Sequence, residues 1–201
     1  MRKINLNKTE LKKQRDQLKR FKRYLPTLYI KKQQLRRDLL NVRRQLSAVK
    51  SEWDELYNAS SNWFGLLAGP FDSEQFIRLS EIVTEKTNIA GVSLERFKQA
   101  LFEERDYDLF DTPLWVDHAV ITLKKMMELE AQKLVLIDQE NKIARELRVT
   151  AQRVNLFEKI KIPETEGLIK KINVYLGDQQ TTAFGWSRLA KKKLAVRQQT
   201  C

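Results

Sequence analysis

The residues that could carry out chemistry in this sequence are few and poorly grouped. His118 is the single histidine and Cys201, the last residue, is the single cysteine. A histidine-rich metal site and an internal disulfide are therefore both excluded. The acidic stretch 103–111, "EERDYDLFD", lacks the glycine and the ligand spacing of a calcium-binding loop. Neither common glycine-rich phosphate-binding pattern occurs. The sequence predicts a chain that is not an enzyme and binds no cofactor or metal.

The composition indicates long helices instead of a compact mixed fold. Only 6 glycines and 4 prolines occur in 201 residues, and 32% of the residues are charged. No apolar run approaches the roughly 20 residues that a bilayer span needs. The basic N-terminus has no apolar core segment of a secretory signal, and the single cysteine fits a reducing compartment. We expect a cytoplasmic chain without direct membrane insertion.

The charge is distributed unevenly along the chain. Residues 1–50 carry 17 Lys and Arg and 3 Asp and Glu, a net charge of +14. Residues 51–115 carry 5 basic and 13 acidic residues, a net charge of −8. Residues 186–201 carry 5 basic residues and no acidic residue. Two basic termini around an acidic middle predict that different parts of the chain meet different partners.

The first 56 residues show a heptad repeat. Position a holds Leu11, Leu18, Leu25, Lys32, Leu39, Leu46 and Trp53; position d holds Gln14, Phe21, Leu28, Leu35, Val42, Val49 and Leu56. An apolar period of 3.5 residues, sustained this long, is typical of a helix in a coiled coil. Asn7 or Thr9 is the candidate cap. Because the heptad phase continues through Pro26, we expect a bend there and not a helix end.

The middle of the chain predicts a β-hairpin. β-branched residues around "EKTNIAG" favour one strand near 77–84, a turn near 85–87 and a second strand near 88–94. Helix is the alternative for parts of 74–84. Thr112 is a candidate cap and Pro113 suits the first turn of the next helix.

A second long helix is predicted from about 113 to about 193. Its apolar stripe is less regular and includes Val120, Leu123, Met127, Leu134, Ile137, Ala144, Leu147, Ala151, Val154, Phe157, Ile169, Ile172, Leu176, Ala183, Trp186 and Ala190.

These elements predict a mainly α fold, a long antiparallel two-helix coiled coil with a small central insert that contains the hairpin. Residues 1–60 and 113–201 are expected to form the coiled coil, and residues 61–112 the insert. Basic residues fill most outer positions of the first helix. They favour an acidic or polar protein sleeve around it; phosphate binding to nucleic acid and a plain solvated surface are the alternatives.

One segment resembles a known family. "TAQRVNLFEKIKIPETEGLIKKI" resembles the C-terminal segment of the D subunit of the V-type and A-type rotary ATPases. The opening "LNKTELKKQRDQL" is similar to that family's first helix, and "EKTNIAGVSL" to its hairpin region. The matching C-terminal positions are Arg153, Val154, Asn155, Leu156, Phe157, Glu158, Ile162 and Pro163.

The resemblance implies a non-catalytic rotor shaft. Both termini would lie inside the ring of catalytic (A) and non-catalytic (B) subunits. The insert would face the small F subunit of the central stalk and the socket subunit above the proteolipid ring. The shaft would couple ATP turnover to ion translocation by rotation, at the membrane periphery and without nucleic acid.

The resemblance also points to site residues. The candidates for locking the helices or contacting the ring are Arg153, Val154, Asn155, Phe157, Glu158, Lys12, Arg15, Lys19, Arg188 and Lys191. The candidates for contacting the stalk partner are Ile82, Asn88, Gly91 and Val92. We expect Val154 and Phe157 to face the first helix, near 18–28, with Arg153 and Asn155 outward or bridging. Plain seam packing is the simpler interpretation of this motif. A coiled-coil scaffold or adaptor and a nucleic-acid-binding helical hairpin are the alternative functions.

Overall fold

The computed structural model describes residues 5–67, 76–104, 113 and 115–199. Helix α1 spans Lys8–Leu67, strand β1 Ile77–Ile89, strand β2 Val92–Glu104 and helix α2 Trp115–Leu156; a π-helical segment, Phe157–Lys161, then leads into helix α3, Ile162–Gln199. The prediction of two long helical stretches separated by a β-hairpin is confirmed. Thr112, Cys201 and most of the acidic stretch 103–111 lie outside the described residues.

Helix α1 begins with an asparagine cap. The Glu10 backbone N–H donates to Asn7 Oδ1 over 2.7 Å, and the Leu11 N–H to the Asn7 carbonyl over 3.0 Å. Asn7 is thus the cap, and Thr9 lies inside the helix. Pro26 also lies inside α1. The predicted continuation through proline is confirmed, although the Lys22 carbonyl has no α-helical N–H partner there.

The chain divides into two compact units. The first joins Met1–Ile30 with Thr150–Cys201, and the second comprises Lys31–Val149. Each unit has its own buried residues, and each pairs part of α1 with a later part of the chain. Among the described residues, no helix is both long and apolar enough to cross a membrane.

The second unit contains a continuous apolar seam. Its α1 side consists of successive heptad positions: Leu35, Leu39, Val42, Leu46 and Val49. Leu129, Leu136 and Ile143 of α2 and Leu94 of β2 complete the cluster. Burial of this set removes a large apolar area from water and is the main stabilising contribution in the unit.

Ion pairs along this seam show the direction of α2. Lys31 pairs with Glu146 at 2.8 Å, Arg43 with Glu140 at 2.7 Å and Glu52 with Lys125 at 3.3 Å. Partners on α2 move backwards as α1 advances, so the two helices run antiparallel, as predicted. These pairs are partly exposed and fix register more than they add stability.

Leu134 is not part of the seam, and its assignment to the stripe is wrong. Leu134 is 55% exposed, whereas Leu136 is 6% exposed. Two residues correspond to about 200° around an α-helix, so Leu134 and Leu136 point to opposite sides.

The predicted hairpin is confirmed, but its predicted turn is wrong. Strands β1 and β2 are antiparallel and Ile89 pairs with Val92, which leaves Ala90 and Gly91 as the loop. Both loop residues have positive φ, 51° and 81°, as a type I′ turn requires. Residues 85–87, predicted as the turn, pair instead with 94–96. Strand β2 accordingly extends to Glu104 and does not end at Leu94.

Candidate functional site

The motif that resembles the family, residues 153–163, lies in the first unit. In this unit, residues 8–30 of α1 pack against the end of α2, the π-helical segment and α3. Arg15 Nη2 donates to Asn173 Oδ1 over 3.4 Å, and Lys22 Nζ lies 2.7 Å from Glu166 Oε1. Tyr29 Oη donates to Glu158 Oε2 over 2.7 Å. This order again makes the paired segments antiparallel.

A π-helical turn interrupts the helix at the motif. The Ile162 N–H donates to the Phe157 carbonyl, five residues earlier. Pro163 follows directly. In a regular α-helix its ring would clash with the Lys159 carbonyl, and it has no N–H to donate to that carbonyl. The wider π-turn avoids this clash without ending the helix. Thr165 Oγ1 donates to the Lys161 carbonyl over 2.6 Å, which satisfies another acceptor of the same turn.

The motif residues divide between the seam and the surface. Val154 is 1% exposed. The Phe157 ring stacks on Phe21 with a centroid distance of 5.3 Å. Arg153 and Asn155 are exposed. The structure thus places Val154 and Phe157 toward α1, with Phe157 on a residue inside the predicted 18–28 region.

Glu158 forms the polar contact of the motif. It is exposed, and it accepts the hydrogen bond of Tyr29. This bond raises the pKa of the Tyr29 phenol above its ordinary value of 10.0, with smaller contributions from desolvation and from the Glu158 charge. The pKa rises because deprotonation of Tyr29 would break its hydrogen bond to Glu158 and place a phenolate beside the carboxylate.

We expect Glu158→Gln to lower the pKa of Tyr29 toward its ordinary value. Since the folded pKa is raised, the contribution of this contact is complete below pH 10 and is lost as the pH rises through the folded pKa. The difference in alkaline ultraviolet absorbance between a chain and its Tyr29→Phe variant isolates this phenol. An identical Tyr29 titration with and without Glu158→Gln would rule out the contact.

The basic candidates all lie on the surface of the first unit. Lys12, Lys19, Arg188 and Lys191 are exposed, and Arg15 is exposed although it reaches Asn173. The structure does not bring the α1 set and the α3 set into one cluster. They form two basic stretches on the outside of the helices.

Residues 177–194 of α3 are not part of a seam with any described segment. Ile172 is fully buried and Leu176 half-buried, whereas every residue from 177 to 194 is exposed. Helix α1 begins at Lys8, and Arg15, only seven residues later, already contacts Asn173. Because the two segments are antiparallel, α1 has few residues left to pack against α3 beyond this contact. Phe184 and Trp186 are 76% and 69% exposed. The assignment of Ala183, Trp186 and Ala190 to the stripe is therefore wrong, because no described part of α1 faces them.

Three of the four hairpin candidates lie at the turn of the second unit, whereas Ile82 lies in the middle of β1 and pairs with Ala100. Asn88 is exposed and its Oδ1 accepts the Gly91 N–H over 3.0 Å. Val92 packs against the apolar cluster of this unit, and Ile82 is half-buried. Gly91 is exposed, and its φ of 81° favours glycine. Asn88 and Gly91 determine the conformation of the turn. Ile82 and Val92 are half-buried, so part of each side chain is accessible to a partner.

The described part of the chain contains no candidate metal site. His118 is exposed on α2, and no group of three or more His, Cys, Asp or Glu residues that could hold a metal ion occurs there. What the structure presents are surfaces: a basic helix pair with an aromatic free end, and a hairpin packed on an antiparallel helix pair.

Known proteins are similar to this sequence over nearly its whole length. The family model that describes the D subunit of ATP synthase matches residues 10–192. The V-type ATP synthase D subunit of Borreliella burgdorferi is 43% identical over 194 residues, 96% of each chain. Proteins of the same name from Chlamydia abortus and Chlamydia pneumoniae are each 30% identical, over 98% and 96% of this chain and 96% and 94% of theirs.

Proposed function

Because this chain belongs to the family of ATP synthase D subunits, we propose that it is the central rotor shaft of a V-type ATPase. It couples ATP turnover in the ring of A and B subunits to ion translocation through the membrane ring by rotating between them. It is a non-catalytic member of the complex, and it associates with the membrane peripherally through that complex.

The free end of α3 is the observation that carries this proposal. Residues 177–199 would extend roughly 35 Å at 1.5 Å per residue. Residues 177–194 of this length present aromatic and basic side chains with no facing helix among the described residues. An isolated helix of this kind is marginal in water and gains stability from a surrounding partner. The ring of A and B subunits is that partner in our proposal.

Rotation is coupled to catalysis through unequal contacts. A shaft that is not threefold symmetric touches equivalent ring sites differently, and each contact biases its site toward an open or a closed state. The coupling equals the difference in contact free energy between those states. Transmission of torque requires that paired helices keep their register, which interdigitated seam residues provide.

The motif around Val154 locks the helices of the first unit in this proposal. Val154 and Phe157 hold the seam, and Glu158 holds Tyr29. Arg153 and Asn155 remain outside, available to the ring. The lock lies where both paired segments are irregular: α1 contains Pro26, and the π-helical segment precedes Pro163.

Different partners act on the insert. Residues 1–60 and 113–201 form the shaft in this proposal, and residues 61–112 form the insert that meets the small stalk protein, the F subunit, and the socket subunit. Ile82, Asn88, Gly91 and Val92 are the stalk-facing candidates. The acidic character of 51–115 suits a partner different from the one that surrounds the basic ends.

Sedimentation of the purified chain tests the assignment. We expect a monomer that forms a one-to-one complex with the small central-stalk subunit. A stable homodimer that ignores this subunit would favour a coiled-coil scaffold. Tight binding to nucleic acid by the single chain, falling steeply with salt, would favour the nucleic-acid alternative.

A further inference from the structure

The first unit buries fewer apolar side chains than the second. Among the described residues, Val154 and Ile172 are its buried apolar side chains, whereas fourteen buried apolar side chains lie in the second unit. The first unit nevertheless has about two thirds of the length of the second. Leucines at its heptad positions, such as Leu11 and Leu18, are only half-buried. Because apolar burial is the main stabilising contribution in a helix pair, the first unit is held together less strongly.

A polar layer, Gln14 and Thr165, interrupts the seam of the first unit. Gln14 occupies a d position of the heptad repeat, and both side chains are buried and line the same cavity of about 550 Å³. Their hydrogen bonds stay within one helical stretch each. Gln14 Nε2 donates to Glu10 Oε1 over 2.7 Å, and Thr165 Oγ1 donates to the Lys161 carbonyl. These two core positions therefore contribute no hydrogen bond between the helices and less apolar burial than leucine would.

The polar contacts across this seam do not compensate for the weak core. The three contacts described above all join exposed side chains: Lys22 with Glu166, Arg15 with Asn173, and Tyr29 with Glu158. Exposed ion pairs and hydrogen bonds contribute little stability because water competes for the same groups, and salt screens the charges. The pairing of the two helices in the first unit therefore depends on its few apolar contacts.

Both paired segments of the first unit are irregular near its boundary with the second. Pro26 interrupts the hydrogen-bond ladder of α1 four residues before this part of the unit ends at Ile30. The chain re-enters the unit at Thr150, and the π-helical segment Phe157–Lys161 follows after a short stretch of regular helix. Because helical order propagates through a continuous ladder, the second unit transmits its order poorly into the first.

We propose that the first unit is a separate cooperative unit, which opens well before the second unit unfolds and which the ring of A and B subunits holds closed. A partner that binds the closed helix pair and not the open one stabilises the closed form by mass action. This part of the shaft then becomes stiff only after it enters the ring. The identity of the partner rests on the proposed function, whereas the early opening rests on the seam alone.

Native-state hydrogen exchange of the isolated full chain tests the early opening. We expect backbone amides of 11–28 and 154–172 to exchange about 100-fold faster than those of 35–49 and 129–143, measured by mass spectrometry at low denaturant. The first two segments should also share one opening step, since they form one helix pair. Equal protection of all four segments would show a single cooperative unit and would overturn the proposal.

Filling the polar layer should stabilise the closed form of the first unit. In the combined variant Gln14→Leu and Thr165→Val, we expect the amides of this unit to exchange about 10-fold more slowly, while those of 35–49 keep their rate. Gln152→Leu is the matched control. Gln152 is exposed in the same unit, so this replacement should change the exchange rate by less than about twofold. Unchanged or faster exchange in the combined variant would overturn the polar layer as the cause of the opening.

Assembly with purified A and B subunits separates this inference from the proposed function. In the complex we expect the amides of 11–28 and 154–172 to be protected as strongly as those of 35–49. If the ring binds the chain but leaves their exchange unchanged, the ring does not hold the unit closed, while the rotor assignment stands. If the ring does not bind the chain, the rotor assignment and the role of the ring are both overturned, whereas the exchange pattern of the isolated chain still decides whether the first unit opens separately.

Discussion

Replacing Val154 with aspartate is expected to lower the free energy of unfolding of the isolated chain by about 4 kcal/mol or more. Val154 is 1% exposed in the first unit, and Phe157, one helical turn later, stacks on Phe21 of α1. A carboxylate there would be desolvated in apolar surroundings. The loss should be visible as an earlier midpoint in guanidinium unfolding followed by circular dichroism.

The neighbouring residue provides the matched control. Asn155 is exposed, so Asn155→Asp introduces the same charge one position away and should change the free energy of unfolding by no more than about 0.5 kcal/mol. Equal losses from the two variants would show that the motif does not pack with Val154 inward. The comparison therefore tests the orientation of the motif directly.

Removing the aromatic rings at the free end of α3 is expected to leave the isolated chain stable and to damage its assembly. In the unmodified chain Phe184 is 76% exposed and Trp186 is 69% exposed. The combined variant Phe184→Ala and Trp186→Ala therefore loses little intramolecular packing. Buried aromatic anchors at interfaces contribute about 2 kcal/mol or more each. We expect the affinity for the ring of A and B subunits to fall by about 30-fold for each aromatic side chain removed, about 1,000-fold for both, with ATP hydrolysis uncoupled from ion movement.

Ile121→Ala is the control for general loss of exposed apolar surface. Ile121 is 67% exposed and lies on α2 in the other unit, which is not part of the proposed ring surface. It should leave ring affinity and coupling unchanged. If the aromatic variant binds the ring as tightly as this control, the free end of α3 is not the ring-binding surface.

The heptad period was sufficient to predict the seam of α1. Every predicted a and d position from Leu11 to Leu56 is buried or half-buried, including the polar Gln14 and Lys32. A sustained 3.5-residue period has few physical alternatives, and the antiparallel direction follows from one chain folding back. Pro26 did not end the helix because the seam on both sides continues in phase.

Features that depend on the partner segment were not predictable in the same way. Periodicity assigned Trp186 to a seam, but only the start of α1 at Lys8 shows that no described part of α1 faces it. The hairpin turn falls on Ala90 and Gly91, although alanine at positive φ is not a turn signal. The polar residues "EKT" therefore gave the stronger turn signal in the sequence.

The π-helical segment and the cleft were missed for different reasons. For the π-helical segment the sequence signal was Pro163. A proline predicts that the helix is interrupted, but it does not predict that the interruption is a π-helical turn. The cleft of the second unit, of about 600 Å³, combines residues from α1, β1, β2 and α2, from Asp38 to Gln139. Its shape depends on distances between these elements that no local pattern contains.

Single-molecule rotation tests the central claim most directly. A bead is attached through Glu85→Cys, an exposed hairpin position, in a chain carrying Cys201→Ser, and the catalytic ring is fixed to a surface. We expect the bead to turn in one direction when ATP is added and to stop when ATP is removed. Full ATP turnover with a bead that stays fixed or moves at random would contradict the rotor assignment.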